Sequence, residues 1–302
     1  MSVRNQADDH DHDSHCHFFS SRFLELLAAD GREAAAIAAT LGWDAPGTVA
    51  TLADRWVAEL DRQGVRRVAL IASIPGDESS VADAVARHPG RFVGFFMHNP
   101  AADGAEERLV RSLTEHRLRG ICLFPAMHGY RLDDGRVERV FATAAAHHAA
   151  VFAHCGVLTV GARKKLGLPS RFDLRLGDPL ALSRMALAFP DVPVIIPHFG
   201  AGYLREALMA GDQCQTIHLD TSSSNGWMKF HPGLTLGEVF RLTLSVVGPG
   251  RVLFGSDSSF FPRGWQRPIY DGQVRIVEEL GLATEDRDRI FHGNFERLFP
   301  QL

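Results

Sequence analysis

Four widely separated groups in this chain carry residues suited to metal chemistry: His15-Cys16-His17, His154, His198 and Asp257. Imidazole and carboxylate are common ligands of a catalytic divalent ion. Residues two apart on a strand share a face, so His15 and His17 would turn both rings to one side and Cys16 to the other. His154 closes the apolar run Val151-Phe152-Ala153, His198 closes Ile195-Ile196-Pro197, and Asp257 follows Phe254-Gly255-Ser256. In a fold that gathers these strand ends, His15, His17, His154 and Asp257 supply three imidazoles and one carboxylate, with a position left for water or substrate. His198 then reads as a general acid/base, because an imidazole near its ordinary pKa moves protons near neutrality. A fourth ligand and a buried, hydrogen-bonded histidine are the alternatives for it. Any one histidine among fifteen is more often structural than ligating; the coincidence of all these strand ends carries the argument.

The elements that would position these residues are readable. Nearly continuous apolar runs at 68–72, 92–97, 120–124, 151–154, 194–198, 216–220 and 252–255 fit parallel strands buried on both faces. Helix-like segments at 79–87, 106–118, 136–149, 179–189 and 201–209 lie between them. This alternation predicts an α/β fold with a parallel sheet. An eighth strand is available only in the segment ending at His15-Cys16-His17. Its polar residues predict a short or partly frayed strand. Eight units make a distorted (β/α)8 TIM barrel, a single domain with its active site at the C-terminal strand ends. The surplus over a typical barrel of ~250 residues falls in two insertions, 20–64 after strand one and 157–178 after strand five. Residues 1–12 read as a polar tail and 13–302 as the barrel. A doubly wound open sheet is the weaker alternative, since no Gly-rich nucleotide turn follows an early strand.

Composition narrows the function classes. The chain has 302 residues, 45% hydrophobic, with a formal charge of −4. No basic stripe suggests nucleic acid as a partner. No apolar run approaches the ~20 residues of a membrane helix, and the polar, acidic N-terminus is unlike a secretory signal. Cys16, Cys122, Cys155 and Cys214 are too few for a disulfide scaffold and suit reduced thiols in a cytoplasm. The acidic, His-rich start, with a second HxH at His10-Asp11-His12, leaves room for another reading: a non-catalytic metal-binding protein.

Asp13-Ser14-His15-Cys16-His17, His154-Cys155-Gly156, Pro197-His198-Phe199-Gly200 and Phe254-Gly255-Ser256-Asp257 together resemble the successive strand-end motifs of the amidohydrolase superfamily. They are most similar to its amidohydrolase-related branch, which includes aminocarboxymuconate semialdehyde and γ-resorcylate decarboxylases. Gly293-Asn294 before Phe295-Glu296-Arg297-Leu298 resembles that branch's C-terminal helix signature. The resemblance covers nearly the whole chain. It implies a distorted (β/α)8 barrel, His15, His17, His154 and Asp257 as metal ligands, His198 as the proton-handling residue, and a homodimer. Binuclear members carry a bridging lysine or glutamate near strand four. Here that strand reads Gly-Ile-Cys-Leu-Phe, and Cys122 is better placed in the core. One divalent ion is therefore expected, zinc first, with manganese, iron or cobalt compatible.

Around the expected mouth, Arg163, Lys164, Lys165, Arg171, Arg175 and Arg263 could clamp a carboxylate or other anion. Phe18, Phe19, Trp227, Phe260, Phe261 and Trp265 could wall a pocket for a planar ligand. Solvated charge and ordinary loop packing are the plain alternatives. Two chemistries fit one ligand set. In the first, a metal-activated water hydrolyses a small anionic or aromatic substrate, with Asp257 or His198 moving the proton. In the second, an aromatic or unsaturated acid loses carbon dioxide as Asp257 or His198 protonates carbon. Hydrolysis is the preferred expectation.

Overall fold

The computed structural model describes residues 11–223 and 225–301. Eight strands, β1 (Asp11–His17), β2 (Val65–Ala72), β3 (Phe92–His98), β4 (Gly120–Leu123), β5 (Ala150–Ala153), β6 (Val194–Ile196), β7 (Ile217–Asp220) and β8 (Val252–Leu253), lie side by side in sequence order. Each pairs in parallel with the next. The sheet curls back on itself. Ser14 N donates to Phe254 O, and His17 N donates to Ser258 O at 2.7 Å. The chain is a (β/α)8 barrel in a single domain, as the alternating pattern predicts.

Strand side chains divide by parity. Val68, Leu70, Ile121, Leu123, Val194 and Ile196 pack outward against the helices. Ala69, Ile71, Phe95, Cys122, Phe152 and Ile195 fill the barrel interior, and Phe295 and Phe299 join them from the C-terminal end of the chain. Cys122 is thus a core residue, and burial alone pushes its thiol pKa well up. The Gly293-Asn294 motif has a structural role: Asn294 Nδ2 donates to Pro249 O and Val252 O, fixing the last helix to the start of β8.

The first strand departs from expectation. It is neither short nor frayed: seven residues long, with five successive buried positions. Asp11 and His12 lie in this strand, and so in the barrel and not in a tail; residues 1–10, including His10 of the second HxH, lie outside the described residues. Hydropathy misses this strand because its buried partners are polar. Asp13, fully buried, accepts from Ser256 N (3.0 Å), Ser256 Oγ (2.5 Å), Trp265 Nε1 (2.7 Å) and His15 N (2.9 Å). Burial still raises its pKa against those donors. The pairing with β2 slips between Asp13 and Cys16, which oppose Val68 and Leu70. Such a bulge inserts one residue and re-aims the side chains around it. Ser14 and His15 consequently both reach inward, Ser14 to Asp220 and His15 onto Phe152.

Candidate metal centre

The strand ends converge. His15 Nε2 lies 3.3 Å from His17 Nε2 and 3.8 Å from Asp257 Oδ1, and His17 Nε2 lies 3.1 Å from the same oxygen. Donor atoms of His15, His154 and His198 form a second group, all within 4.8 Å of one another. Four ligand bonds of ~2.1 Å around one ion put neighbouring donors about 3.0–3.4 Å apart. Two of the three edges of the His15–His17–Asp257 triangle fall in that range and the third lies slightly beyond it.

Hydrogen bonding orients these rings. Ser73 Oγ donates to Ile71 O (3.0 Å), so it accepts from His17 Nδ1 at 2.7 Å. Ser222 Oγ donates to the Asp220 carboxylate. That leaves it to accept from His15 Nδ1 and from His198 Nδ1, each at 2.9 Å. A neutral imidazole carries one N–H, so all three place it on Nδ1 and leave Nε2 as a lone pair. With these tautomers, two lone pairs and a carboxylate oxygen would face each other at 3.1–3.8 Å. His154 adds a buried Nδ1 with no hydrogen-bond partner among the described residues. A cation would satisfy the facing atoms of His15, His17 and Asp257, and His154 and His198 form a second donor group with His15, so the residues present fit a divalent ion.

Electrostatics agree. Burial would raise Asp257, but His17, His15 and His198 hold it far below the usual carboxylate range. Burial lowers His17 and His198, and lowers His154 furthest, with neighbouring imidazoles adding to the effect in each. Neutral imidazole is the form that binds metal. Burial would lower His15 too, but Asp220 and Asp257 reverse it and its pKa is raised. The backbone is strained at His198 (φ 57°) and Asp257 (φ 58°), as is common where function fixes a side chain.

Asp220, at the end of β7, is the member that sequence reasoning missed. Fully buried, it also accepts from Ser14 Oγ (2.5 Å) and Ser222 N (2.9 Å), and lies 3.6 Å from His15 Nδ1. A Cβ at Gly255 would sit 2.3 Å from Asp220 Oδ2, which is why glycine follows Phe254. The signal was present: Asp220 closes an apolar run as Asp257 does.

Above the cluster opens a cavity of about 760 Å³ lined by His17, His154, His198 and Asp257. Arg163, Lys165, Arg171 and Arg263 line it, as do Phe19 and Phe260; Lys164, Arg175, Phe18 and Phe261 do not. Phe19, Trp43 and Phe260 stand in a ladder, with ring centroids 5.3 and 4.4 Å apart and planes within 12°. Arg263 covers the Phe260 ring at 4.5 Å. Two residues expected at the substrate are elsewhere. Trp265 is buried with its Nε1 on Asp13, and Trp227 is buried with its Nε1 on Asn225 Oδ1 (3.0 Å). Each indole N–H needs a partner when buried, and a protein acceptor supplies it away from the cavity.

The family model for amidohydrolases matches residues 12–301. The chain belongs to the amidohydrolase family. It is an enzyme of that superfamily, which sets aside the reading as a non-catalytic metal-binding protein. No curated protein matches. Among solved structures, a 5-carboxyvanillate decarboxylase from Sphingomonas paucimobilis is 16% identical, with 97% of this chain and 99% of that one covered and a TM-score of 0.64. A probable 2-pyrone-4,6-dicarboxylic acid hydrolase from Acinetobacter baumannii, with citric acid bound, is 14% identical over 96% and 98% of the chains, TM-score 0.62. A dihydroxybenzoic acid decarboxylase from a Polaromonas species, holding manganese and the inhibitor 2-nitroresorcinol, is 17% identical over 96% of each chain, TM-score 0.61. At these identities the likeness shows the shared fold. Among the described residues no helix of this amidohydrolase is long and apolar enough to cross a membrane.

Proposed function

We propose that this amidohydrolase is a metal-dependent hydrolase of a small, planar, anionic substrate. The observation that carries the reading is the meeting of histidine lone pairs with the Asp257 carboxylate at the floor of an aromatic, cation-rimmed cavity. His15, His17, His154 and Asp257 would hold one divalent ion, zinc first, with manganese, iron or cobalt suited to the same donors. Bound there, it would supply Lewis acidity, polarising a substrate oxygen and easing the deprotonation of water. His198 keeps its Nδ1 proton on Ser222 and has Nε2 to take and return a proton on the cavity side. Asp257, ionised and 35% exposed, is the other proton acceptor. Arg163, Arg171 and Arg263 bind the substrate's negative charge.

A second reading, non-oxidative decarboxylation, draws support from the Phe19–Trp43–Phe260 ladder, a flat wall suited to an aromatic acid. In it, Asp257 or His198, after taking up a proton, delivers it to carbon as the bond to the carboxyl group breaks and carbon dioxide leaves. A homodimer belongs to the proposal as well. The packed helices Pro179–Ala188 and Leu204–Gln213 leave Leu180, Leu187 and Met209 exposed, and light scattering reads the mass directly. The reaction is tested by turning over aromatic and unsaturated acids and cyclic esters in ¹⁸O water. Hydrolysis places one ¹⁸O in the organic product. Carbon dioxide release with no label in that product would replace the hydrolase reading with the lyase one.

A further inference from the structure

A second cavity, of about 750 Å³, lies at the opposite, N-terminal end of the barrel strands. Arg67 of β2 lines it and is only 3% exposed. Its guanidinium has five N–H donors. Among the described residues one bond is made, from Nη1 to Phe299 O at 2.9 Å, and Nε is buried with no partner. Among the described residues no carboxylate forms an ion pair with it; Glu296 instead accepts from His12 at 2.9 Å. A buried cation without a direct ion pair is costly. Burial lowers Arg67's pKa; Glu296 partly opposes this, and the neighbouring Arg66 and Arg119 add to it.

Two more arginines, Arg117 and Arg119, line the same cavity, and neither makes a side-chain ion pair or hydrogen bond among the described residues. Asp83 and Glu115 also line it, at exposed positions. The rest of the wall is largely apolar, including Phe92, Phe299 and Pro300. Among the described residues, three guanidinium groups without an ion pair, one buried, one half-buried and one exposed, thus line a largely apolar space large enough for an organic molecule.

We propose that this cavity binds a small organic anion, a carboxylate on an apolar body, with Arg67 at its inner end and Arg117 and Arg119 at its mouth. The site is separate from the metal centre, and the inference does not depend on which reaction occurs there.

Benzoate is the probe, titrated by calorimetry into the intact protein, with benzamide and inorganic phosphate for comparison. Arg67 is buried and its removal could unfold the chain, so the variants are the double substitution Arg117→Ala/Arg119→Ala and, at the other cavity, Arg263→Ala. The expected result is a class of benzoate sites whose Kd rises at least tenfold in the double variant and is unchanged in Arg263→Ala. Benzamide and phosphate should bind that class at least tenfold more weakly than benzoate. The proposal is overturned if the double variant binds benzoate like the parent, if Arg263→Ala removes all benzoate binding, if benzamide binds equally well, or if phosphate binds better than benzoate.

Discussion

The Ser222 hydroxyl donates to the Asp220 carboxylate, and that one bond fixes the tautomers of two histidines, His15 and His198. Neither Ser222 nor Asp220 need touch the ion. Groups that hold a ligand's second nitrogen typically affect metal affinity 10–100-fold. Ser222→Ala should therefore weaken metal binding by about that factor while circular dichroism stays that of the parent. Ser222→Thr, which keeps the hydroxyl, should restore most of the affinity. A metal titration that leaves Ser222→Ala equal to the parent would show that the tautomers do not depend on it.

The strand-end residues and the acidic start of the chain can be told apart as metal sites by substitution. His154→Ala and Asp257→Ala should each empty the protein of metal by elemental analysis, whereas His10→Ala should leave one equivalent. Retention in the first two with loss in the third would move the metal to the N-terminus. Substitution is the right probe here, because a deletion reaching Asp13 would cut into β1 itself.

Trp265 and Arg263 stand two residues apart and should behave oppositely. Trp265→Phe keeps the ring but removes the donor to buried Asp13, at a cost of about 1–3 kcal/mol in denaturant unfolding. KM should stay within about twofold, since the indole lies outside the cavity. Arg263→Ala should raise KM at least tenfold for an anionic substrate with little change in unfolding. A large KM effect at Trp265 would return it to the substrate.

Acid should destabilise the protein through histidines buried in neutral form. His218, on the inner face of β7, donates Nδ1 to Thr216 O (2.9 Å), and burial lowers its pKa to about 4. The unfolded chain takes up a proton near the ordinary value of 6.5, before the folded one does. Stability is thus full above pH ~6.5 and falls as pH drops toward 4, by about 3 kcal/mol for this residue. His98 and His128, also lowered to about 4 by burial, add to the same slope. His218→Gln should flatten the decline of unfolding free energy between pH 6.5 and 4; an unchanged slope would mean that His218 is protonated in the fold.

Most of the barrel was legible because apolar runs buried on two faces advertise themselves, as in β2 and β3. The residues that the fold gathers at the candidate centre could be singled out for a related reason: a histidine or aspartate closing such a run is conspicuous, as at His154, His198 and Asp257. Asp220 carried the same mark and was passed over, because an aspartate beginning a serine-rich loop also reads as an ordinary turn. β1 was misjudged because its burial is sustained by polar partners more than 200 residues away, Ser256 and Trp265 on Asp13, and no local pattern encodes them. The same distance defeats any reading of Trp265 from its loop position. Aromatic residues in loops look alike until the fold decides which N–H finds an acceptor.

The bulge in β1 sets the inward and outward assignments of the residues on either side of it. Asp13 must face outward to reach Trp265, while His15 and His17 must face the centre. Both conditions hold only with one surplus residue between them. Substitutions along this segment therefore differ in kind from changes in its length. A serine exchanged for alanine loses a hydrogen bond, but a single codon gained or lost between Asp13 and His17 would reverse the facing of one group relative to the other. Evolution can tinker with the letters of this segment far more readily than with its spacing.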